Sequence, residues 1–174
     1  MIVGTVEDAG LEPEAVRDDL TLRIQRYPRP AGQPIAEHEG LWVGRLRRIG
    51  AAKLRHWGIP GLVEDAELAI SELVTNALLH GAGGKVAFRI LLAADMLALE
   101  VDDGSPERAH VNTADPDDEN GRGMFIVSAL STVCGVSPDG TKTWCTFTIP
   151  TTPRRSAAGP REAVAGTAQP RWTA

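Results

Sequence analysis

Three short stretches of this sequence place together residue types that can do chemistry. The first is Ser71-Glu72-Leu73-Val74-Thr75-Asn76-Ala77-Leu78-Leu79-His80-Gly81. On a helix, at about 100° per residue, Ala66, Ile70, Leu73, Val74 and Ala77 form one apolar face. Glu72, Asn76 and His80 then fall at i, i+4 and i+8, a polar stripe along the border of that face. The Glu72 carboxylate can take a proton, and the Asn76 side-chain oxygen is a hard donor that suits Mg²⁺. Standing alone, such a stripe is more often a solvated helix edge.

The second stretch is Leu99-Glu100-Val101-Asp102-Asp103-Gly104-Ser105-Pro106. A strand ends in acids, and the chain turns on a glycine and a proline. A carboxylate there, from Asp102 or Asp103, can accept a hydrogen bond from an exocyclic amine such as that of adenine. An ordinary acidic turn has the same composition. The third is Gly121-Arg122-Gly123-Met124-Phe125-Ile126-Val127. Two glycines ahead of a helix let the backbone approach an anion, toward which the free N–H groups and positive end of the helix then point. Arg122 adds positive charge, although a tight turn needs the same two glycines.

The elements that must position these stretches are legible from periodicity. Thr21 to Tyr27 alternates as a strand and is closed by Pro28 and Pro30. Ile35 to Trp57 is helical, with Leu41, Leu46, Ile49 and Leu54 as its apolar positions, and Gly58-Ile59-Pro60-Gly61 ends it. A second helix spans about Leu62 to His80 and is stopped by Gly81, Gly83 and Gly84. Two strands follow, Lys85 to Leu92 and Met96 to Asp103, and then a polar loop from Pro106 to Asn120. A short helix from Gly123 to about Leu130 and a hairpin of Val133 to Ser137 with Thr143 to Ile149 complete the order. That order is α+β: a two-layer sandwich of a mostly antiparallel sheet with helices packed on one face.

The 174 residues suit one domain. Residues 1–20 are acidic and weakly periodic, and 151–174 are rich in Pro, Ala, Gly, Thr and Arg. Both read as weakly ordered or disordered tails around a folded unit of residues 21–150. A formal charge of -5 and few aromatics argue against nucleic-acid or anionic-membrane partners. No segment has the length and apolarity of a membrane span or the pattern of a secretion signal, so a cytoplasmic protein is expected. Cys134 and Cys145 are too few for a metal site and are expected as free, buried thiols.

In order and spacing together, these motifs resemble those of the Bergerat (GHKL) ATPases, and within them the branch of bacterial anti-sigma factor serine kinases. Glu72-Leu-Val-Thr-Asn76-Ala resembles that family's N-box. Val101-Asp102-Asp103-Gly104-Ser105-Pro106 is similar to its first glycine box in actinobacterial form, and Gly121-Arg-Gly123-Met-Phe-Ile-Val to its second. Trp57-Gly58-Ile59-Pro60 and Lys142-Thr143-Trp144 also fit, so that the likeness covers about Thr21 to Ile149.

The resemblance implies an ATP·Mg²⁺ site in a Bergerat ATP-binding fold, with Asn76 as metal ligand and Glu72 as general base. It implies Asp103, followed by Gly104, as acceptor for the adenine amine, with Asp102 as the alternative one residue earlier. Gly121, Arg122 and Gly123 would lie by the phosphates under a lid of about Pro106 to Asn120. His80 matches a frequent family position without an assigned role. The first glycine box lacks the second glycine of the fuller pattern. The lid carries Asp115, Asp117, Asp118 and Glu119, which are expected to face outward or to be screened by Mg²⁺.

The activity implied is a protein serine/threonine kinase that phosphorylates an anti-anti-sigma partner and sequesters a sigma factor, with a homodimer as its assembly. No dimerisation helix with a phospho-acceptor histidine precedes the domain, so a histidine kinase is not expected. The alternatives are an ATP-binding regulator that holds a partner without phosphotransfer, and an ATP-hydrolysing engine of a larger assembly.

Overall fold

The computed structural model describes residues 2–7, 15–27, 29, 33–82, 84–104 and 122–150. Six strands form one sheet: β1 (Ile2–Val3), β2 (Asp18–Gln25), β3 (Lys85–Leu92), β4 (Met96–Asp102), β5 (Val133–Val136) and β6 (Lys142–Thr148). Their order is β1-β5-β6-β4-β3-β2. β1 runs parallel to β5, and every other neighbouring pair is antiparallel. Three α-helices accompany the sheet: α1 (Glu37–His56), α2 (Val63–His80) and α3 (Arg122–Leu130). The fold is thus α+β with a mixed sheet, as the element order predicts.

Strand alternation decides what each face of the sheet does. Ile24, Val86, Phe88, Ile90, Leu97, Leu99, Val101, Cys145 and Phe147 point to one side and pack in a single core with Leu46 and Leu54 of α1, the apolar face of α2, and Val127 of α3. The other side carries Leu91, Ala98 and Trp144, which form a smaller cluster with Val6, Ala93 and Val16. α2 is the central helix. Ala66, Ala69, Ile70, Leu73, Val74, Ala77 and Leu78 are all buried, and α1 and α3 pack on either side of it.

Local chemistry fixes the helix ends. α1 carries Glu37 and Glu39 in its first turn and Lys53, Arg55 and His56 in its last, which complements the macrodipole. Gly58, at φ 75°, takes the left-handed turn that releases the chain from α1. The buried Arg26 donates its Nε–H to the Leu78 carbonyl at 3.1 Å, one of the C-terminal carbonyls that the helix itself leaves unpaired.

Two sequence expectations need correction. Part of segment 1–20, read as a weakly ordered tail, belongs to the sheet. Ile2 and Val3 pair with Gly135 and Val136, Val6 is buried, and the Gly4 carbonyl accepts the indole N–H of Trp144 at 2.9 Å. Strand β2 starts at Asp18, because the acids that looked solvated are engaged. Asp18 accepts from Trp57 Nε1 (2.8 Å) and Lys53 Nζ (3.0 Å), and Asp19 from Arg89 (3.0 Å). The Trp57 and Lys53 hydrogen bonds also hold the Asp18 carboxyl below its ordinary range. Of the remaining acids of that segment, Glu7 is exposed, and Asp8, Glu12 and Glu14 lie outside the described residues, as do 151–174.

Leu41 is the second correction: it is 54% exposed rather than in the core. From Leu41 to Leu46 is five residues, which turns the side chain about 140° around the helix and off the buried face. Cys134 and Cys145 are free and buried, opposite each other on β5 and β6, and burial pushes the Cys145 thiol far up. Among the described residues no helix is long and apolar enough to cross a membrane.

Candidate functional site

The apolar face of α2 locks the rotation of that helix, and the polar stripe follows from it. With Leu73, Val74 and Ala77 in the core, Glu72 and Asn76 sit half-buried at its edge, while His80 is exposed at the C-terminal end. Among the described residues neither Glu72 nor Asn76 is tied up in a hydrogen bond or ion pair.

What faces that pair is the start of α3. Gly123 is buried, and a Cβ placed on it would stand 2.6 Å from Glu72 Oε2 and 3.4 Å from Asn76 Nδ2. The backbone at the head of α3 therefore lies directly against the carboxylate and carboxamide. The positive dipole end of the helix lies there, with the N–H groups for which the helix itself supplies no acceptor. Arg122, the first residue of α3, is exposed beside them. Gly121 and the segment expected as a lid, with its acids Asp115, Asp117, Asp118 and Glu119, lie outside the described residues.

The other end of α2 meets the end of β4. Leu99 and Val101 face the helices and Glu100 faces away, so alternation carries Asp103 toward the helices and Asp102 to the opposite side. Asp102 is used locally: its Oδ1 accepts the Gly104 N–H at 3.0 Å. Asp103 lies against Gly81, and its N–H donates to the Thr141 carbonyl at 3.1 Å. Gly104 adopts φ 65°, a left-handed conformation that glycine takes without a steric cost.

These contacts define the length of the site. Glu72 and Gly81 are nine residues apart, about 13–14 Å along a helix. A ligand touching both ends would be elongated and lie along α2, with its anionic part at Gly123 and a hydrogen-bond donor at Asp103. Among the described residues no three His, Cys, Asp or Glu side chains cluster as a ready-made metal cage.

The sequence profile of the histidine kinase-like ATPase domain matches residues 42–147, from within α1 to within β6. The chain belongs to that family. It is an ATP-binding, kinase-like domain of the GHKL type. No curated protein matches the chain. β1, β2 and the first turn of α1 precede the matched region, whereas all the stretches singled out for chemistry fall within it.

The structure of this ATPase domain brings Glu72, Asn76 and Gly123 together and sets Asp103 and Gly104 at the far end of the same helix. It separates Asp102 from that surface. His80 is one helical turn beyond Asn76 and exposed at the end of α2. One contributor escaped the sequence reading. Gly81 registered there only as a helix stop, while its approach to Asp103 depends on a contact 22 positions further along the chain, and no local pattern encodes that.

Proposed function

We propose that this ATPase domain is an anti-sigma factor protein serine/threonine kinase, acting in the cytoplasm. In this reading it binds ATP with Mg²⁺, phosphorylates a small anti-anti-sigma partner, and sequesters a sigma factor when that partner is unavailable. The observation that carries the reading is the packing of Gly123 on the Glu72–Asn76 pair. A carboxylate, a carboxamide and a helix N-terminus lie together there, which supports reading them as proton acceptor, cation ligand and phosphate site.

The residues present fit the nucleotide and the cation. With no side chain on Gly123, the head of α3 offers its first N–H groups to phosphate oxygens. Mg²⁺ keeps several waters and binds through few protein ligands together with substrate phosphates, so Asn76 without a protein cage is a sufficient donor. Bound ATP supplies the transferable phosphoryl group, and Mg²⁺ neutralises charge on its oxygens. Glu72 takes up the proton that the partner's serine hydroxyl releases. Arg122 and the head of α3 hold positive charge where negative charge gathers. Asp103, carried to the helix side of the sheet, accepts the adenine amine, and Gly104 lets the chain turn away from the base.

The test is Glu72→Ala in titration with ATP and in transfer of label from ATP to the partner's serine. Binding should persist while transfer falls by about 10²–10⁴, the contribution of a positioned proton acceptor. Full transfer by the variant would remove Glu72 from the mechanism. Absence of transfer in the unmodified protein would leave a regulator that holds its partner without phosphorylating it.

A further inference from the structure

Gly81 closes α2 in a conformation that any residue adopts, φ -58° and ψ 141°, so its backbone does not call for glycine. The space around it does. A Cβ on Gly81 would stand 2.9 Å from Asp103 Cβ and 3.4 Å from Asp103 Cγ, and 2.5 Å from the Ala77 carbonyl oxygen. The nearest of these atoms belong to the backbone or are bonded directly to it, so a rotamer change cannot relieve the collision. Asp103 is fixed from two further directions, by its N–H on Thr141 O at 3.1 Å and by the left-handed turn at Gly104.

We infer that Gly81 is a positioning residue for Asp103. Its missing side chain lets the end of α2 meet the end of β4, and this contact sets the depth and direction at which the carboxylate presents itself to the base. Gly81 thereby sets the preference of the site for a purine that bears an exocyclic amine. The inference rests on the proposed reading of Asp103 as acceptor for the adenine amine. It adds that the place of the carboxylate, fixed from α2, is what makes it selective.

The experiment compares binding of ATP with binding of purine riboside triphosphate, which lacks the amine, by calorimetry at one Mg²⁺ concentration. The unmodified protein should prefer ATP by about tenfold or more, as expected for a hydrogen bond to a charged acceptor. Asp103→Ala should abolish the preference. Gly81→Ala should reduce it to within about threefold, chiefly through weaker ATP binding, with purine riboside triphosphate held about as before. A merely structural effect would weaken both ligands in proportion, and an unchanged preference in Gly81→Ala overturns the inference.

If the unmodified protein shows no preference, the reading of Asp103 fails, and the inference with it. If only Gly81→Ala keeps the preference, the inference alone fails. Should Gly81→Ala not fold, Asp103→Glu, which leaves α2 and Gly81 unaltered but carries the carboxylate one methylene beyond the place that Gly81 sets, should lose the preference; a preference that survives this change would overturn the inference.

Discussion

Gly123, the second residue of α3, lies so close to Glu72 of α2 that a Cβ on it would stand 2.6 Å from the carboxylate oxygen Oε2. The colliding atom is the free end of a flexible side chain, and it yields easily. Gly123→Ala should therefore shift Tm by no more than about 3 °C. By pushing the Glu72 carboxylate aside and adding bulk at the helix N-terminus, it should weaken ATP binding by about tenfold.

Gly135 gives the contrasting case. A Cβ there would collide with the Ile2 carbonyl and stand 2.5 Å from the buried Trp144 ring, and neither can move away. Gly135→Ala should destabilise by about 1–3 kcal/mol without changing ATP affinity. Thermal melting and calorimetry on the two variants check this division; equal effects on both quantities would contradict it.

Glu39 is buried in the first turn of α1, where it accepts the Tyr27 N–H at 2.9 Å and forms an ion pair with Arg29. Removing the carboxylate leaves a buried guanidinium without its counter-charge. Urea unfolding of Glu39→Ala should show a loss of about 3–5 kcal/mol. A loss below about 1 kcal/mol would mean that water reaches Arg29 and solvates it.

Much of this was legible in the sequence, and what was missed has identifiable causes. The α2 stripe could be read because a helix repeats every 3.6 residues, and the core alternation of β3 and β4 because a strand repeats every two. The choice between Asp102 and Asp103 could not be read, since it turns on which face of β4 the helices cover. The N-terminal strand is two residues long, too short to show any period. The acids Asp18 and Asp19 looked solvated because their partners Lys53, Trp57 and Arg89 lie 35, 39 and 70 positions away. Gly81 and Gly123 look like helix punctuation until the element packed against each is known.

Glu100, on the face of the sheet away from the helices, has its carboxyl pushed above the ordinary 4.5, mainly by burial. Lys142 and Arg89 pull it back, and Glu7 adds to the rise. A raised folded-state value means that the folded protein binds this proton more tightly than the unfolded chain does. The contribution of Glu100 to stability therefore falls as pH rises from the ordinary carboxylate value through the raised one. Glu100→Gln should melt higher than the unmodified protein at pH 7, with the advantage vanishing by about pH 4. A lower melting temperature at pH 7 would show that the Arg89 contact at 3.4 Å outweighs the burial.

Calorimetric titration of the protein with ATP, with and without Mg²⁺, probes the nucleotide site proposed to run along α2 from Asp103 to Glu72 and Asn76. Saturable binding of one ATP per chain is expected, tightened by Mg²⁺, with the Mg²⁺ effect lost in Asn76→Ala. Absence of binding in both conditions, or a Mg²⁺ effect that survives Asn76→Ala unchanged, would contradict it.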